Sequence, residues 1–171
     1  YSDAITYLTK INTAGYMLHD DYEELFLADN NTNGAQNEFI FSVAFDGINT
    51  QTYGGTTFLT HAPVGGTMDP DNFGINGGWG GIRTTSALVN KFQLGLDSRD
   101  QFYTEGQSLE IADVSSFTDG YAISKWKNVD VNGEAGSDAT GNFTDIDFPM
   151  FRLADAYLLY AEAYLRGGGG N

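Results

Sequence analysis

Apolar residues return at helical spacing from the start of the chain. Ala4, Ile5, Tyr7, Leu8 and Ile11 form one stripe, with Lys10 and Asn12 outside it. Thr13-Ala14-Gly15 predicts the end of that helix, glycine being a frequent terminator. Residues 21–28 predict a second, short helix: Asp20, Asp21, Glu23 and Glu24 crowd its first turn, where the helix dipole favours negative charge, and Tyr22, Leu25 and Phe26 supply its buried face. Residues 37–45 alternate large apolar side chains and predict a strand.

From 45 to 83 the pattern breaks down. Glycine, asparagine, threonine and isolated aromatics replace any sustained period, which predicts one long irregular segment. Tyr53, Phe58, Phe73 and Trp79 argue that it is ordered. Thr84-Thr85 then predicts the cap of a helix carrying Ala87, Leu88, Val89 and Phe92. Residues 97–103 predict another helical turn or two, and residues 120–131 an extended stretch ending in a turn at Asn132-Gly133. A polar loop spans 134–144. Residues 151–166 are the strongest helix, with rows Leu153, Tyr157, Tyr160, Tyr164 and Ala154, Leu158, Ala161, Leu165 making a broad apolar face. Such a helix needs neighbours on most sides, and few helices precede it. The chain is therefore expected to be an internal piece of a longer protein, with sequence missing on both flanks. The fold class expected is mainly α, with short strands and long irregular loops.

Charge narrows the partners. Eight Lys and Arg stand against twenty-three Asp and Glu, a formal net charge of −15. That balance excludes nucleic acid, whose binding is driven by clustered basic charge. It also disfavours anionic membrane surfaces and polyanionic glycans, and leaves neutral sugars and proteins as partners. The chain has no cysteine, hence no disulfide or thiolate chemistry. No apolar run approaches the roughly 20 residues that span a bilayer.

Candidate chemistry gathers in the irregular segment. Sugar rings expose C–H faces that stack on aromatic rings, while amides and carboxylates read their hydroxyls. Trp79 lies between glycine pairs and Tyr53 precedes Gly54-Gly55, so both rings are candidates to stand clear of the backbone. Phe73 would complete the platform, with Asp71 and Asn76 as hydrogen-bonding neighbours. Arg83 is a candidate donor to a sugar hydroxyl, with a protein carboxylate as the rival partner. The competing reading for every ring is that it plugs the loop onto the core. Trp126 is expected to pack, with Lys125 on the opposite face of an extended segment.

Other chemistries are weaker. Asp29-Asn30-Asn31-Thr32-Asn33-Gly34 matches the first half of an EF-hand loop, but Ile40 stands where its bidentate glutamate belongs, so an asparagine-rich turn is expected and no metal site. Neither a zinc-protease helix motif nor a nucleophile elbow nor a phosphate-binding glycine loop occurs, and no cofactor is expected. His19 is expected at the surface, and His61 has no orienting partner legible in sequence. Two of Asp69, Asp71, Glu105, Asp145 and Asp147 could serve a glycoside hydrolase as paired carboxylates, against a competing reading as solvated surface charge.

Phe148-Pro149-Met150-Phe151-Arg152-Leu153-Ala154-Asp155-Ala156-Tyr157-Leu158-Leu159-Tyr160-Ala161-Glu162-Ala163 resembles the signature of the SusD/RagB family, in which Pro and Arg precede a Leu-Leu-x-Tyr-Ala-Glu-Ala helix. Asn37-Glu38-Phe39-Ile40-Phe41-Ser42-Val43 is similar to a strand of that family. So is Gly78-Trp79-Gly80-Gly81-Ile82-Arg83, with Leu88-Val89-Asn90-Lys91-Phe92 and Asp97-Ser98-Arg99, to another of its recurrent stretches. The resemblance implies a partial SusD-like domain over 1–171, on a tetratricopeptide-type helical scaffold with long loops. It implies a lipid-anchored protein on the outer face of the outer membrane that is not an enzyme. Its partners would be an oligosaccharide or peptide and a TonB-dependent transporter over which it sits as a lid. The membrane would be met only through a lipid anchor outside these residues. The functional expectation is capture of an oligosaccharide, against a glycoside hydrolase or a transporter lid with no glycan site of its own.

Overall fold

The computed structural model describes residues 1–169. Among the regular elements helix outweighs strand, and irregular connections carry most of the length. Helix α1 (Ser2–Asn12) opens the chain and helix α4 (Leu153–Leu165) lies against it, joined by Leu8, Leu153 and Ala156 with Ile11, Tyr16, Ile40 and Tyr160 around them. The remaining faces of α4 leave Tyr157, Leu158, Leu159 and Leu165 exposed, so among the described helices only α1 packs on it. No helix among those residues is long and apolar enough to cross a membrane.

Strand β1 (Phe39–Val43) pairs antiparallel with β4 (Phe148–Arg152), with Phe41 opposite Phe151 and Val43 opposite Phe148. The helix expected at 151–166 thus begins two residues later, because Phe151 and Arg152 belong to the strand that delivers it. Glu38 fastens the junction. Its buried carboxylate accepts from Arg152 Nη1 at 2.7 Å and from the His19 backbone at 2.9 Å, and its carbonyl accepts from Leu153 N at 3.0 Å. Where β1 and β4 part, side chains continue the ladder: Asp147 Oδ1 accepts from Phe45 N at 3.0 Å and Asp145 Oδ1 from Gly47 N at 2.7 Å.

Buried asparagines stitch distant segments. Asn30 donates to Leu25 O and Asp147 O and accepts from Asp147 N; Asn128 donates to Gly74 O and accepts from Asp145 N. The turn at 29–34 is built for this purpose: the Asn33 amide donates to Glu24 O and Asp29 Oδ1, so its nitrogen faces the carboxylate. Among the described residues no cluster of three or more His, Cys, Asp or Glu could hold a metal ion.

Several sequence expectations change. Residues 21–28 form only a 3-10 turn (Glu23–Phe26), after which Leu27 turns extended and bridges to Lys127. So short a segment carries the cost of helix nucleation with few bonds to repay it. The stretch 45–83 is not wholly irregular: it holds helix α2 (Gly55–His61) and a 3-10 turn at Pro70–Phe73. Its threonines hid the helix, since β-branched residues disfavour helix on propensity. Here Thr60 bonds back to Thr56 O, while Thr56 and Thr57 meet the hydroxyl of Thr144. Helix α3 is a single turn (Ser86–Val89), and Thr85 occupies its cap position with no side-chain bond. Residues 97–103 give a turn held by Asp97 and then strand β2 (Phe102–Tyr103), paired with β3 (Ala122–Ile123). Beyond β3 the expected extended stretch is irregular. Lys125 and Trp126 therefore do not point apart: the Lys125 ammonium sits 3.9 Å from the Phe26 ring centre, and Trp126 meets the same ring edge-on at 5.0 Å.

Candidate functional site

Helix α2 ends in a set of carbonyls that no further helical turn satisfies, and the loop after Asn76 supplies the missing donors. Trp79 N donates to His61 O, Gly80 N to Val64 O, and Gly81 N and Ile82 N to Ala62 O, all at 2.8–3.1 Å. The loop is thereby zipped along the helix exit. Gly78 is required by this approach: a Cβ there would lie 2.1 Å from Val64 O. The glycines beside Trp79 press the backbone onto α2, and the indole is left outside, 45% exposed.

Around that indole other rings gather. Tyr53 is 63% exposed, with its ring centre 6.3 Å from Trp79 and tilted by 55°. Phe58, on the outer side of α2, lies 5.9 Å from Trp79 at 54°, and Phe143 lies 5.1 Å from Tyr53 at 45°. Behind Trp79, His61 stacks nearly parallel at 5.0 Å and 20°. Its Nδ1 bonds Gly77 O at 2.7 Å, which gives the ring the orienting partner that the sequence does not reveal. Tyr53 is brought here by the turn at Gly54-Gly55. Gly55 has φ +59 and the Phe45 ring fills the space of its absent Cβ.

The other expected site residues go elsewhere. Phe73 is 5% exposed and belongs to the core with Val64, Met68, Ile75 and Ala122, so its ring is closed to a ligand. Its place in the Pro70–Phe73 turn points it inward, which corrects the platform expected from sequence. Arg83 is spent on backbone carbonyls rather than on the expected carboxylate. Its guanidinium donates to the carbonyls of Val114, Ser116 and Asp119 and staples the 114–119 loop. Asp71 is exposed and Asn76 lies near it, both lining a polar concavity of about 370 Å³ with Asp138 and Thr140. The Asn76 amide donates to Thr140 O and Asn142 Oδ1, leaving its side-chain oxygen to accept. Asn142 adjoins Phe143 in sequence, so this polar edge runs on from the aromatic group.

Three of the five acids offered as a hydrolase pair have other work. Asp145 and Asp147 carry the ladder described above, and burial raises the Asp147 carboxyl above its ordinary value, partly offset by the Phe45 N–H. Asp69 caps the 3-10 turn by accepting from Asp71 N. His19 is half-buried against Glu24, 2.6 Å away, not free at the surface. Trp126 packs as expected, stacked on Phe148 at 5.6 Å and 10°. Phe58 and Phe143 joined the site unannounced. Phe58 had a signal only as one more aromatic in the 45–83 stretch, and Phe143, inside a polar loop 90 residues from Tyr53, had none.

The comparisons with known proteins agree on one family. A model of the SusD family matches residues 97–171. Over 99% of its length the chain is 32% identical to the starch-binding protein SusD of Bacteroides thetaiotaomicron, and it spans 38% of that protein. A crystal structure of a SusD superfamily protein from Parabacteroides distasonis shares the fold. It superposes with a TM-score of 0.61 over 98% of this chain and 35% of its own, at 24% identity. By the family match, the relative aligned end to end and the shared fold, this chain belongs to the SusD family.

Proposed function

We propose that this chain is part of a non-catalytic protein that captures a neutral oligosaccharide, with Trp79 and Tyr53 as the stacking surface. The observation that carries the reading is the ring group of Tyr53, Trp79 and Phe58, all exposed, with the partly buried Phe143 beside Tyr53. Large exposed aromatics in contact mark binding surfaces. Mutual tilts of 45–55° do not suit a flat ribbon, which needs coplanar faces; they suit a chain that turns from one sugar to the next. An α-linked glucan turns in this way, and the SusD relative is named as starch-binding. Asn76 and Asp71 would hydrogen-bond hydroxyls at the polar edge. Hydrolysis is disfavoured because Asp145 and Asp147 are spent on backbone N–H groups. In this reading the 171 residues are part of one larger SusD-like unit, lipid-anchored on the outer face of the outer membrane. That unit passes its glycan to a TonB-dependent transporter.

The test is a panel of neutral glycans titrated calorimetrically against the full-length protein, with reducing-end release assayed in parallel. Binding of α-linked glucans in preference to flat β-linked ones is expected, with no release. Trp79→Ala should weaken it by more than about tenfold, since one lost stack plus its buried area exceeds the free energy of a decade. Unchanged binding in Trp79→Ala, Tyr53→Ala would move the site off these rings.

A further inference from the structure

We propose that His61, which no ligand reaches, is the positioning residue that sets the Trp79 ring for glycan; the inference rests on reading Trp79 as the platform. His61 is 2% exposed and closes α2. Its Nδ1 faces the Gly77 carbonyl, which can only accept, so Nδ1 carries the proton and Nε2 holds the lone pair. That Nε2 is buried without any hydrogen-bond partner. A buried acceptor left unmade is costly, and a residue serving only to fill space would be apolar. The imidazole instead does two things at once. Its edge ties Gly77, the residue that starts the zipped loop, and its face lies 5.0 Å behind the indole at 20°. Without that plate Trp79 is held on one flank by Phe58 and Tyr53, both exposed, and its inner face has nothing to stop it tipping. Since a stacked sugar reads the outer face of the same ring, the orientation of the inner face decides whether the outer one is presented.

The two roles separate by substitution. His61→Asn keeps a donor at the Nδ1 place and removes the plate; His61→Phe keeps the plate and removes the donor. Both are made in the full-length protein, alone and with Trp79→Ala, and titrated with maltoheptaose. The indole N–H signal of Trp79, assigned by its absence in Trp79→Phe, is followed by NMR. His61→Asn should move that signal and weaken binding roughly three- to tenfold, the worth of one aromatic pair. It should add nothing in the Trp79→Ala background, because coupled residues are not additive. His61→Phe should bind within about twofold of wild type at lower thermal stability. An unmoved indole signal with unchanged affinity in His61→Asn, or losses that simply add to those of Trp79→Ala, would overturn the proposal. Should His61→Asn not fold, His61→Phe decides: retained affinity supports the plate and lost affinity in a folded protein sinks it. If wild type binds no neutral glucan the platform reading fails, while the indole signal still decides whether His61 sets the ring.

Discussion

Phe73 and Trp79 are aromatic residues six positions apart in the same glycine-rich stretch, and their fates are opposite. Phe73 closes a 3-10 turn whose cap, Asp69, aims it into a core; Trp79 follows Gly78, whose missing side chain lets the backbone press on α2 and leaves the ring outside. Phe73→Ala should therefore cost about 3–5 kcal/mol, whereas Tyr53→Ala should stay within about 0.5 kcal/mol. Urea unfolding of the two variants checks the contrast, and similar losses would erase the distinction between core ring and platform ring. Glu38 offers a second residue-scale test. Removing its carboxylate leaves Arg152 half-buried and unpaired and the His19 backbone N–H without its acceptor, so Glu38→Ala should lose roughly 3–5 kcal/mol. Asp147 makes a prediction in pH. Its carboxyl is raised by burial, so the native state still holds a proton where the unfolded chain has released it. Stability falls as pH rises from the ordinary carboxylate value through the raised one, and Asp147→Asn should flatten that fall. A steeper fall in the variant would contradict the assignment.

At the scale of elements, loops here are held by carboxylates accepting from the backbone two to four residues on. Asp97 is the clearest: the Arg99 side chain, then its backbone N–H, lower the carboxyl to about 2. The Ser115 hydroxyl lowers Asp113, and the Glu134 N–H lowers Asp130. For these groups the sign is the reverse of Asp147. Their contribution is complete above the ordinary value and is lost as pH falls through the lowered one, near 2 for Asp97. Carboxyl chemical shifts followed from neutral pH downward should show Asp97 titrating last among them. The zipped loop after α2 gives an element-scale prediction of its own. Gly78→Ala has no room at Val64 O, so the loop must lift, and glycan affinity should drop together with stability. Loss of stability alone would detach Trp79 from the site. Helix α2 is not legible in sequence because the hydroxyls of Thr56 and Thr57 find their partner in Thr144, more than 80 residues beyond the helix end at His61. That satisfaction is tertiary, and local propensity cannot register it.

For the molecule as a whole, a net charge of −15 and the proposed neutral ligand make a joint prediction. Stacking and neutral hydrogen bonds carry little salt dependence, so affinity for a neutral glucan should change less than about twofold between ~0.05 M and ~1 M salt. A steep salt dependence would point instead to a charged ligand. Three small cores, not one, organise the described residues, and α4 keeps apolar residues exposed beyond the side that α1 covers.

Legibility divided along the range of the interactions. The outer helices, the strand at Phe39–Val43, the turn at Asn132-Gly133 and the family signature rest on period, turn chemistry and motif, all of which lie within a few residues. The exclusion of nucleic acid rests on charge, which needs no structure. The site followed the opposite rule. Trp79 and Tyr53 were legible as ring candidates because glycines flank them, yet nothing local separated them from Phe73. Phe143 joins Tyr53 from 90 positions away, and His61 gains its role from a carbonyl at Gly77 and a ring at Trp79. Arg83 and Asp145 were drawn away by backbone groups that a sequence does not place. Residue type and local pattern therefore determined the outer helices, the first long strand and the family, while burial and long-range hydrogen bonding, which exist only once the chain is folded, decided which of the candidate rings and polar groups remain exposed.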